Sequence, residues 1–309
     1  MNILITGGAG FIGSHIADAC VAAGHFTLVV DDLSVGRQEN VPDGAAFVKM
    51  DIRSDKLWEV FDRARFDAVI HLAAQMDVRK SVEDPLFDCS VNISGTLNLL
   101  ETCRALGIGK FVFSSTGGAI YGEQIAFPAD ERHPLKPISP YGISKLTVEN
   151  YLHYYAEVFG MQYVSLRYGN VYGPRQNPHG EAGVIAIFTN KLLAGQQPVI
   201  NGDGRQTRDY VYVDDVVQAN MLALRYDRPG VFNVGTGIET SVNELFSTLK
   251  DLAGSSCPET HGEAKKGEQQ RSVLDATLLQ RTLGWSPSVP LRAGLERTVD
   301  FFRHRPSFS

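Results

Sequence analysis

Cysteine is scarce, with four in 309 residues, and Cys20, Cys89, Cys103 and Cys257 stand far apart with no C-x-x-C. That spacing offers neither a zinc ligand set nor a disulfide framework, so no metal is expected and the four read as packing residues. Basic charge is in deficit: 29 Lys and Arg against 35 Asp and Glu leave a net charge of −6. No basic stripe suited to a phosphate backbone results, which argues against nucleic acid as a partner. Long apolar runs are missing too, and the first residues, Met-Asn-Ile-Leu-Ile-Thr-Gly, lack the basic and apolar regions of a leader. The expectation is a soluble, cytoplasmic protein with no membrane partner. There is no internal repeat or low-complexity tract.

Apolar residues make up 43% of the chain, enough for a sizeable core. Short apolar runs, Ile3 to Thr6, Phe26 to Val30, Ala68 to Leu72, Lys110 to Ser114 and Tyr163 to Leu166, recur between longer segments with helical spacing. Those segments are Phe11 to Ala23, Asp55 to Ala64, Pro85 to Leu106 and Tyr141 to Phe159. Strands that are apolar on both faces, alternating with helices, indicate an α/β fold with a doubly wound parallel sheet. Beyond Arg167 the loops are rich in Gly, Pro and Asn and the elements shorter, as in a smaller α/β lobe. Asp209 to Val213 reads as a strand and Asp214 to Arg225 as a helix capped by Asp214. Ser255 to Gln270 is polar and reads as a mobile loop.

Thr6-Gly7-Gly8-Ala9-Gly10-Phe11-Ile12-Gly13 follows a strand and opens a helix. In that context Gly7 permits a tight turn, Gly10 lets backbone approach a pyrophosphate, and Gly13 lets helix and strand pack closely. The unpaired helix N–H groups face the negative charge. Asp31 and Asp32 close the next strand, where a carboxylate accepts from ribose hydroxyls, so NAD is favoured over NADP; the competing reading is an Asp pair that only shapes a turn. The expected division is a Rossmann domain of 1–167 plus about 209–237, and a substrate lobe of about 168–208 plus 238–309.

Tyr141 and Lys145 sit four apart at the start of a helix and share one face. A tyrosine, with an ordinary pKa of about 10, acts as a base near neutrality only where positive charge favours phenolate. A lysine ammonium one turn away supplies such charge. Ser114, Ser115 and Thr116 lie at the carboxyl end of a strand, where open sheets bind ligands. Their hydroxyls either share the reacting proton or merely cap the loop. His71 and His153 have no metal-like partner near in sequence and read as structural.

Together, TGGAGFIG, the Asp31 strand end, His71-Leu72-Ala73-Ala74, SSTGGAIYG and the Tyr141-x-x-x-Lys145 pair resemble the extended short-chain dehydrogenase/reductase family over essentially the whole chain. Within it the chain is most similar to the UDP-glucose 4-epimerases, with STGGAIYG and the Tyr172 to Gly183 stretch carrying that likeness. The resemblance implies Tyr141 as base, Lys145 as its electrostatic partner and ribose ligand, and Thr116 as the assisting hydroxyl. Because the Gly117-Gly118 stretch is one residue longer than in many relatives, Ser115 stands as the alternative to Thr116.

The same resemblance implies cofactor contacts at Gly7, Gly10, Phe11, Ile12 and Gly13, and at Asp31, Asp32, Leu33, Ser34 and Gly36. It adds Asp51 and Ile52, then Leu72, Ala73, Ala74 and Gln75, and finally Asn92, Ser114, Tyr141, Lys145 and Tyr168. For the sugar nucleotide it implies Asn170, Gly183, Val184, Val199, Asn201, Arg208, the Lys265 to Glu268 stretch and Ser272. A homodimer through the helices near 85–106 and 141–159 is also implied.

Two absences narrow the implied chemistry. Family members that eliminate water carry an Asp-Glu pair after the catalytic threonine, where this chain has Gly117 and Gly118; no acid or base stands there for elimination. Those that act on glucuronic acid place an arginine where this chain has Asn177, which suits a neutral hexose. Two departures weaken transfer: Lys265-Lys266-Gly267-Glu268 replaces the usual R-x-G-D and loses a bidentate fork, and Asn201 replaces an aromatic beside the nucleobase. A small Ser272 stands where size separates narrow from broad epimerases, so N-acetylhexosamines are expected as additional substrates. The expected function is NAD-dependent 4-epimerisation of UDP-glucose and UDP-galactose through a 4-keto sugar. The competing readings are a nucleotide-sugar dehydrogenase or reductase that releases its cofactor, and a non-catalytic NAD sensor, for which Tyr141 and Lys145 have no use.

Overall fold

The computed structural model describes residues 1–62, 64–178, 183–264 and 269–304. The strands are β1 (Asn2–Thr6), β2 (Phe26–Asp31), β3 (Ala46–Lys49), β4 (Ala68–His71), β5 (Lys110–Thr116), β6 (Gln162–Tyr168), β7 (Asn170–Tyr172), β8 (Ile200–Asn201), β9 (Thr207–Tyr212), β10 (Gly230–Val234), β11 (Glu239–Ser241), β12 (His261–Gly262) and β13 (Arg271–Ser272). The helices are α1 (Phe11–Ala22), α2 (Leu57–Asp62), α3 (Val78–Glu83), α4 (Pro85–Cys89), α5 (Gly95–Leu106), α6 (Gly117–Ile120), α7 (Pro140–Phe159), α8 (Val184–Leu193), α9 (Val213–Arg225), α10 (Val242–Ala253), α11 (Thr277–Leu283) and α12 (Leu291–His304).

Seven parallel strands form the central sheet in the order β10-β6-β5-β4-β1-β2-β3. The order reverses between β1 and β4, which opens a crevice at their carboxyl ends, the usual ligand position of such sheets. Side chains of one strand point to alternate faces. Ile3, Ile5, Ile70 and Val112 pack with α1 and α9 on one side, while Leu4, Val69, Phe111 and Phe113 pack with α5 and α7 on the other. Both faces are covered, which explains the unbroken apolar runs.

Two strands escape the sequence pattern, β3 and β10, and they are the two edges of the sheet. β3 is short and half exposed, so it lacks the apolar run of a buried strand. The Pro85 to Leu106 stretch is helical throughout but widens into a π turn at Ser90–Ser94 between α4 and α5. Asp214 is not the cap of α9: Tyr212 holds that position with no side-chain hydrogen bond, and Asp214 lies in the first turn, where its charge suits the helix dipole. The polar stretch 255–270 contains β12, which pairs with β8.

A small sheet surrounds β9, with β11 and β13 on its two sides and β7 paired to its carboxyl half. The expected strand near 209 therefore lies in this second sheet, while α9, which follows it, packs on α1 and β10 enters the central sheet. Tyr172, Phe188, Tyr210, Phe246 and Leu295 form a separate core beneath it. Cys20 and Cys103 are core residues, but Cys89 is exposed, so the packing role expected of all four does not extend to it.

Candidate active site

The turn after β1 needs its glycines for physical reasons. Gly7 has φ +71°, and a Cβ there would stand 2.6 Å from the Ala73 nitrogen; at Gly13 it would stand 2.2 Å from the Gly7 carbonyl oxygen. At Gly10 the nearest atom would be 3.2 Å away, and Gly10 caps α1 with no side chain bonded to the helix N-terminus. Phe11 and Ile12 open that helix at the crevice. Asp31, at the end of β2, accepts from the Ala9 N–H at 3.0 Å and from the Leu33 N–H at 2.8 Å. The second bond holds Leu33 at φ +62°. Burial pushes the Asp31 carboxyl upward, against those two bonds. A Cβ on Gly36 would meet both Ala9 and Asp31. Asp32 is exposed and bonds Ser34 instead.

Asp51 pairs with Arg53 at 2.5 Å, and the Arg53 hydrogen bonds hold its carboxyl below the usual range. Ile52 is buried against Gly95, and Asn98 secures the turn by donating to the carbonyls of Ile52 and Ser54. Leu72, Ala73 and Ala74 leave β4 along the glycine turn, with the Leu72 N–H on the Thr6 carbonyl. Asn92, inside the π turn, clamps the backbone of Gln75 by accepting from its N–H and donating to its carbonyl.

His71 turns out to be a buried spacer between these parts. The Thr96 hydroxyl donates to the Asn92 carbonyl, so it accepts from His71 Nε2; Nδ1 is then the acceptor of the Thr6 hydroxyl, at 2.6 Å. Burial, reinforced by the Lys145 charge, pushes the imidazole down to about 3 and keeps it neutral. Among the described residues no cluster of His, Cys, Asp and Glu is arranged to hold a metal.

β5 runs two residues further than its apolar run, to Thr116, and this separates the two candidate hydroxyls. Ser115 is 3% exposed on the face toward α7, and its Oγ has no hydrogen-bond partner among the described residues. Ser114 and Thr116 point the other way. A Cβ on Gly118 would lie 3.9 Å from Thr116 Oγ1 and 4.0 Å from Asn170 Oδ1, so these two groups border one space. Tyr168 is deeply buried, and its hydroxyl bonds Asn220.

Ser139 caps α7 through the Gly142 N–H, and Pro140 starts the helix. Tyr141 is therefore in the first turn and half buried, with Lys145 one turn deeper and 4% exposed. Lys145 donates to the Ser114 carbonyl at 2.8 Å, and its Nζ lies 4.7 Å from the Phe113 ring centroid and 5.8 Å from that of Tyr141. Burial brings the ammonium down to about 8, against the pull of Asp88 and Glu149.

The substrate-side residues gather around β9. Arg208 is half buried with one N–H on the Thr207 carbonyl, and Ser272 pairs with it in register. Asn170 on β7 and Asn201 on β8 complete this side, with Val199 exposed. Gly183 caps α8 just before Val184, and a Cβ there would stand 2.6 Å from the Gln176 side-chain nitrogen, so that side chain would have to shift. Arg175, next to Gln176, bonds Asp18 of α1 at 2.7 Å, and His15 of α1 bonds the Pro174 carbonyl. These bonds tie the loop bearing Asn177 to the helix of the glycine turn. Lys265 and Glu268 lie outside the described residues.

Three groups escaped the sequence reading. Asp209, 1% exposed, accepts from Thr236, Gly237 and Leu274 and so fixes the segment after Ser272. Glu149 and Arg167 form a buried bidentate pair, 2.6 Å at its shorter contact. Burial opposes the charge on Arg167, but the Glu149 bonds outweigh it and hold the guanidinium above its usual range. Asp88 is 1% exposed and accepts from Ser144, Gln75 and Asn92. Their only sequence signal was a charged residue in a strand or on a helix face.

A UDP-glucose 4-epimerase of Mycolicibacterium smegmatis is 45% identical over 99% of this chain and 99% of its own length. The structure of UDP-glucose 4-epimerase from Thermotoga maritima, solved with UDP-glucose, matches at TM-score 0.96 and 49% identity, covering 98% of this chain and 99% of that one. The enzyme of the same name from Thermus thermophilus, in complex with NAD, matches at 0.94 and 46% identity with the same coverage. Residues 3–235 match the model of the NAD dependent epimerase/dehydratase family. A turn in which Gly7 and Gly13 leave no room for a Cβ, a Tyr141–Lys145 face at the end of β5 and these likenesses agree, and the chain belongs to that family.

Proposed function

We propose that this protein is a UDP-glucose 4-epimerase, interconverting UDP-glucose and UDP-galactose with NAD as a retained cofactor. The observation that carries the reading is the junction of β5 and α7, where Lys145 binds the strand end that bears Thr116 and lies one turn from Tyr141. Gly117 and Gly118 follow, in place of any acid or base for elimination. The same family likeness also includes relatives with bound UDP-glucose and with bound NAD.

The residues present fit NAD. The Gly7–Gly13 cradle and the uncapped start of α1 suit a pyrophosphate, and Asp31 suits the adenosine ribose. Held there, NAD would supply a hydride acceptor and donor for sugar carbon 4. Tyr141 takes the proton of the 4-hydroxyl and later gives it back, with Lys145 favouring its phenolate and Thr116 holding the same oxygen. The resulting 4-keto sugar turns over in the pocket while Arg208 retains the diphosphate, so the net reaction is redox neutral. Residues 1–167 with 209–237 form the cofactor part, and 168–208 with 238–309 the sugar-nucleotide part; β9 joins them, as it sits in the small sheet and leads into α9.

Two finer readings go with this. A homodimer is supported by exposed apolar residues on adjoining helices: Val82 on α3, Leu86 on α4, and Ile143, Tyr154 and Val158 on α7. Sedimentation at micromolar concentration should give twice the chain mass. A cytoplasmic setting is supported by four unpaired cysteines; no described helix is long and apolar enough to cross a membrane.

The deciding experiment incubates purified protein with UDP-galactose, UDP-N-acetylgalactosamine and UDP-glucuronate separately, without added reductant. The 4-epimer of UDP-galactose should accumulate with no net NADH. Stoichiometric NADH would favour a dehydrogenase, and no product from any sugar would end the epimerase reading.

A further inference from the structure

Asp88 lies at the end of α4, outside every position that the family likeness assigned, yet it is among the most enclosed carboxyl groups in the protein at 1% exposure. One of its oxygens accepts from the Ser144 hydroxyl at 2.6 Å. The other accepts from the Asn92 amide at 2.9 Å and from the Gln75 amide at 3.1 Å. All three partners are able donors, as a carboxylate requires. Three separate segments meet there: Ser144 stands between Tyr141 and Lys145, Asn92 forms the π turn, and Gln75 ends the stretch that leaves β4 beside the glycine turn. A buried ion without such partners would be costly.

We propose that Asp88 is a positioning residue for the Tyr141–Lys145 pair: it pins the reactive turn of α7 to the cofactor crevice and supplies negative charge that keeps the buried Lys145 ammonium. The proposal rests on the epimerase reading for its consequences in catalysis but not for its geometry. The titratable groups that face Lys145 come from three elements: Asp88 on α4 and Glu149 on α7 act on it by charge, while His71 on β4 stays neutral. Glu149 is already held by Arg167 in a two-bond pair. Asp88 faces only neutral donors, so its charge is the less compensated of the two.

Asp88→Asn separates charge from contact. An asparagine can turn its oxygen to Gln75 and Asn92 and its amide to Ser144, whose hydroxyl accepts as well as donates. The NAD-containing protein, labelled with [ε-13C]lysine, is titrated by NMR, with the Lys145 resonance identified by its loss in Lys145→Met. In Asp88→Asn the Lys145 midpoint should fall by about one pH unit, and the alkaline limb of kcat should move with it. An unchanged midpoint in a folded variant overturns the charge role. Ser144→Ala, which keeps the carboxylate and cuts the pin, should leave the lysine midpoint in place and lower kcat about tenfold with little change in KM; an unchanged kcat overturns the positioning role, and this variant decides the matter if Asp88→Asn does not fold. A wild-type protein with no epimerase activity but with the expected lysine shift would refute the epimerase reading and leave the electrostatic assignment standing.

Discussion

The Lys145 ammonium and the Ser114 carbonyl are joined by a 2.8 Å hydrogen bond between α7 and β5. Because Ser114 is two residues before Thr116 and Lys145 one turn after Tyr141, this single bond sets the strand hydroxyl and the helix phenol in one frame. The lysine thus has a structural duty beside its charge, and the two duties fail differently on substitution.

Tyr141→Phe leaves that frame intact and removes only the phenolic oxygen. Epimerisation should fall by about 10²–10⁴, while NAD stays bound, as read by the absorbance and nucleotide content of the purified variant. Activity above about one percent of wild type contradicts a proton-transfer role for this oxygen. Lys145→Met, by contrast, should also lower nucleotide content, since the Ser114 contact goes with it.

Gly13→Ala tests the cofactor cradle. The added methyl would stand 2.2 Å from the Gly7 carbonyl oxygen and 2.8 Å from Gly8 Cα, both backbone, so the turn itself must move. The variant should fold with far less bound nucleotide, measured after denaturing the purified protein. Gly118→Ala is the contrast, since its Cβ meets nothing closer than 3.9 Å, and nucleotide content should be unchanged.

The sequence showed the glycine turn and the Tyr141–Lys145 face because each is local: one strand, one turn and one helix contain all the spacing that matters. The geometry that sets Ser115 and Thr116 apart was not local. It depends on β5 continuing to Thr116, past its apolar run, so that alternation sends the two hydroxyls to opposite faces. Asp88, Glu149 and Asp209 were invisible for a related reason. Their partners lie up to 65 residues away, and a charged residue on a helix face or in a strand reads as solvated until the fold brings donors to it.

Glu149→Ala should destabilise the protein by about 3–5 kcal/mol. It leaves Arg167 charged and 4% exposed with its two-bond partner gone, and also strands the Ser165 hydroxyl. Urea unfolding measures the loss. The double variant Glu149→Ala/Arg167→Met should recover part of it, because the uncompensated charge is then absent.

His71 makes a pH prediction. The native imidazole, held down to about 3, stays neutral where the unfolded one, at about 6.5, gains a proton. The unfolded state therefore binds more protons below pH 6.5, and stability falls as pH drops through that window toward 3, by at most about 1.4 kcal/mol per pH unit from this residue. His71→Gln offers an acceptor and a donor to Thr6 and Thr96 without titrating. Its urea midpoint should fall less between pH 7.5 and 5.5 than that of wild type, and equal falls would assign the acid sensitivity elsewhere.

Ser272 bears on which sugars turn over. It pairs in register with Arg208, the proposed diphosphate ligand, and the chain beyond it is held by Gln124 on the Val273 N–H and by Asp209 on the Leu274 N–H. Its surroundings are therefore fixed, and at 3% exposure a larger side chain has to take volume from the space beside it. On the epimerase reading that space receives the sugar, and an N-acetyl group needs more of it than a hydroxyl does. Ser272→Tyr should reduce kcat/KM for UDP-N-acetylgalactosamine by at least about tenfold, an unfilled demand of more than about 1.4 kcal/mol, and change that for UDP-galactose little. A thermal melt distinguishes a general loss of structure, which would lower both. Equal turnover of the two substrates by wild type and variant would remove residue 272 from the account of specificity.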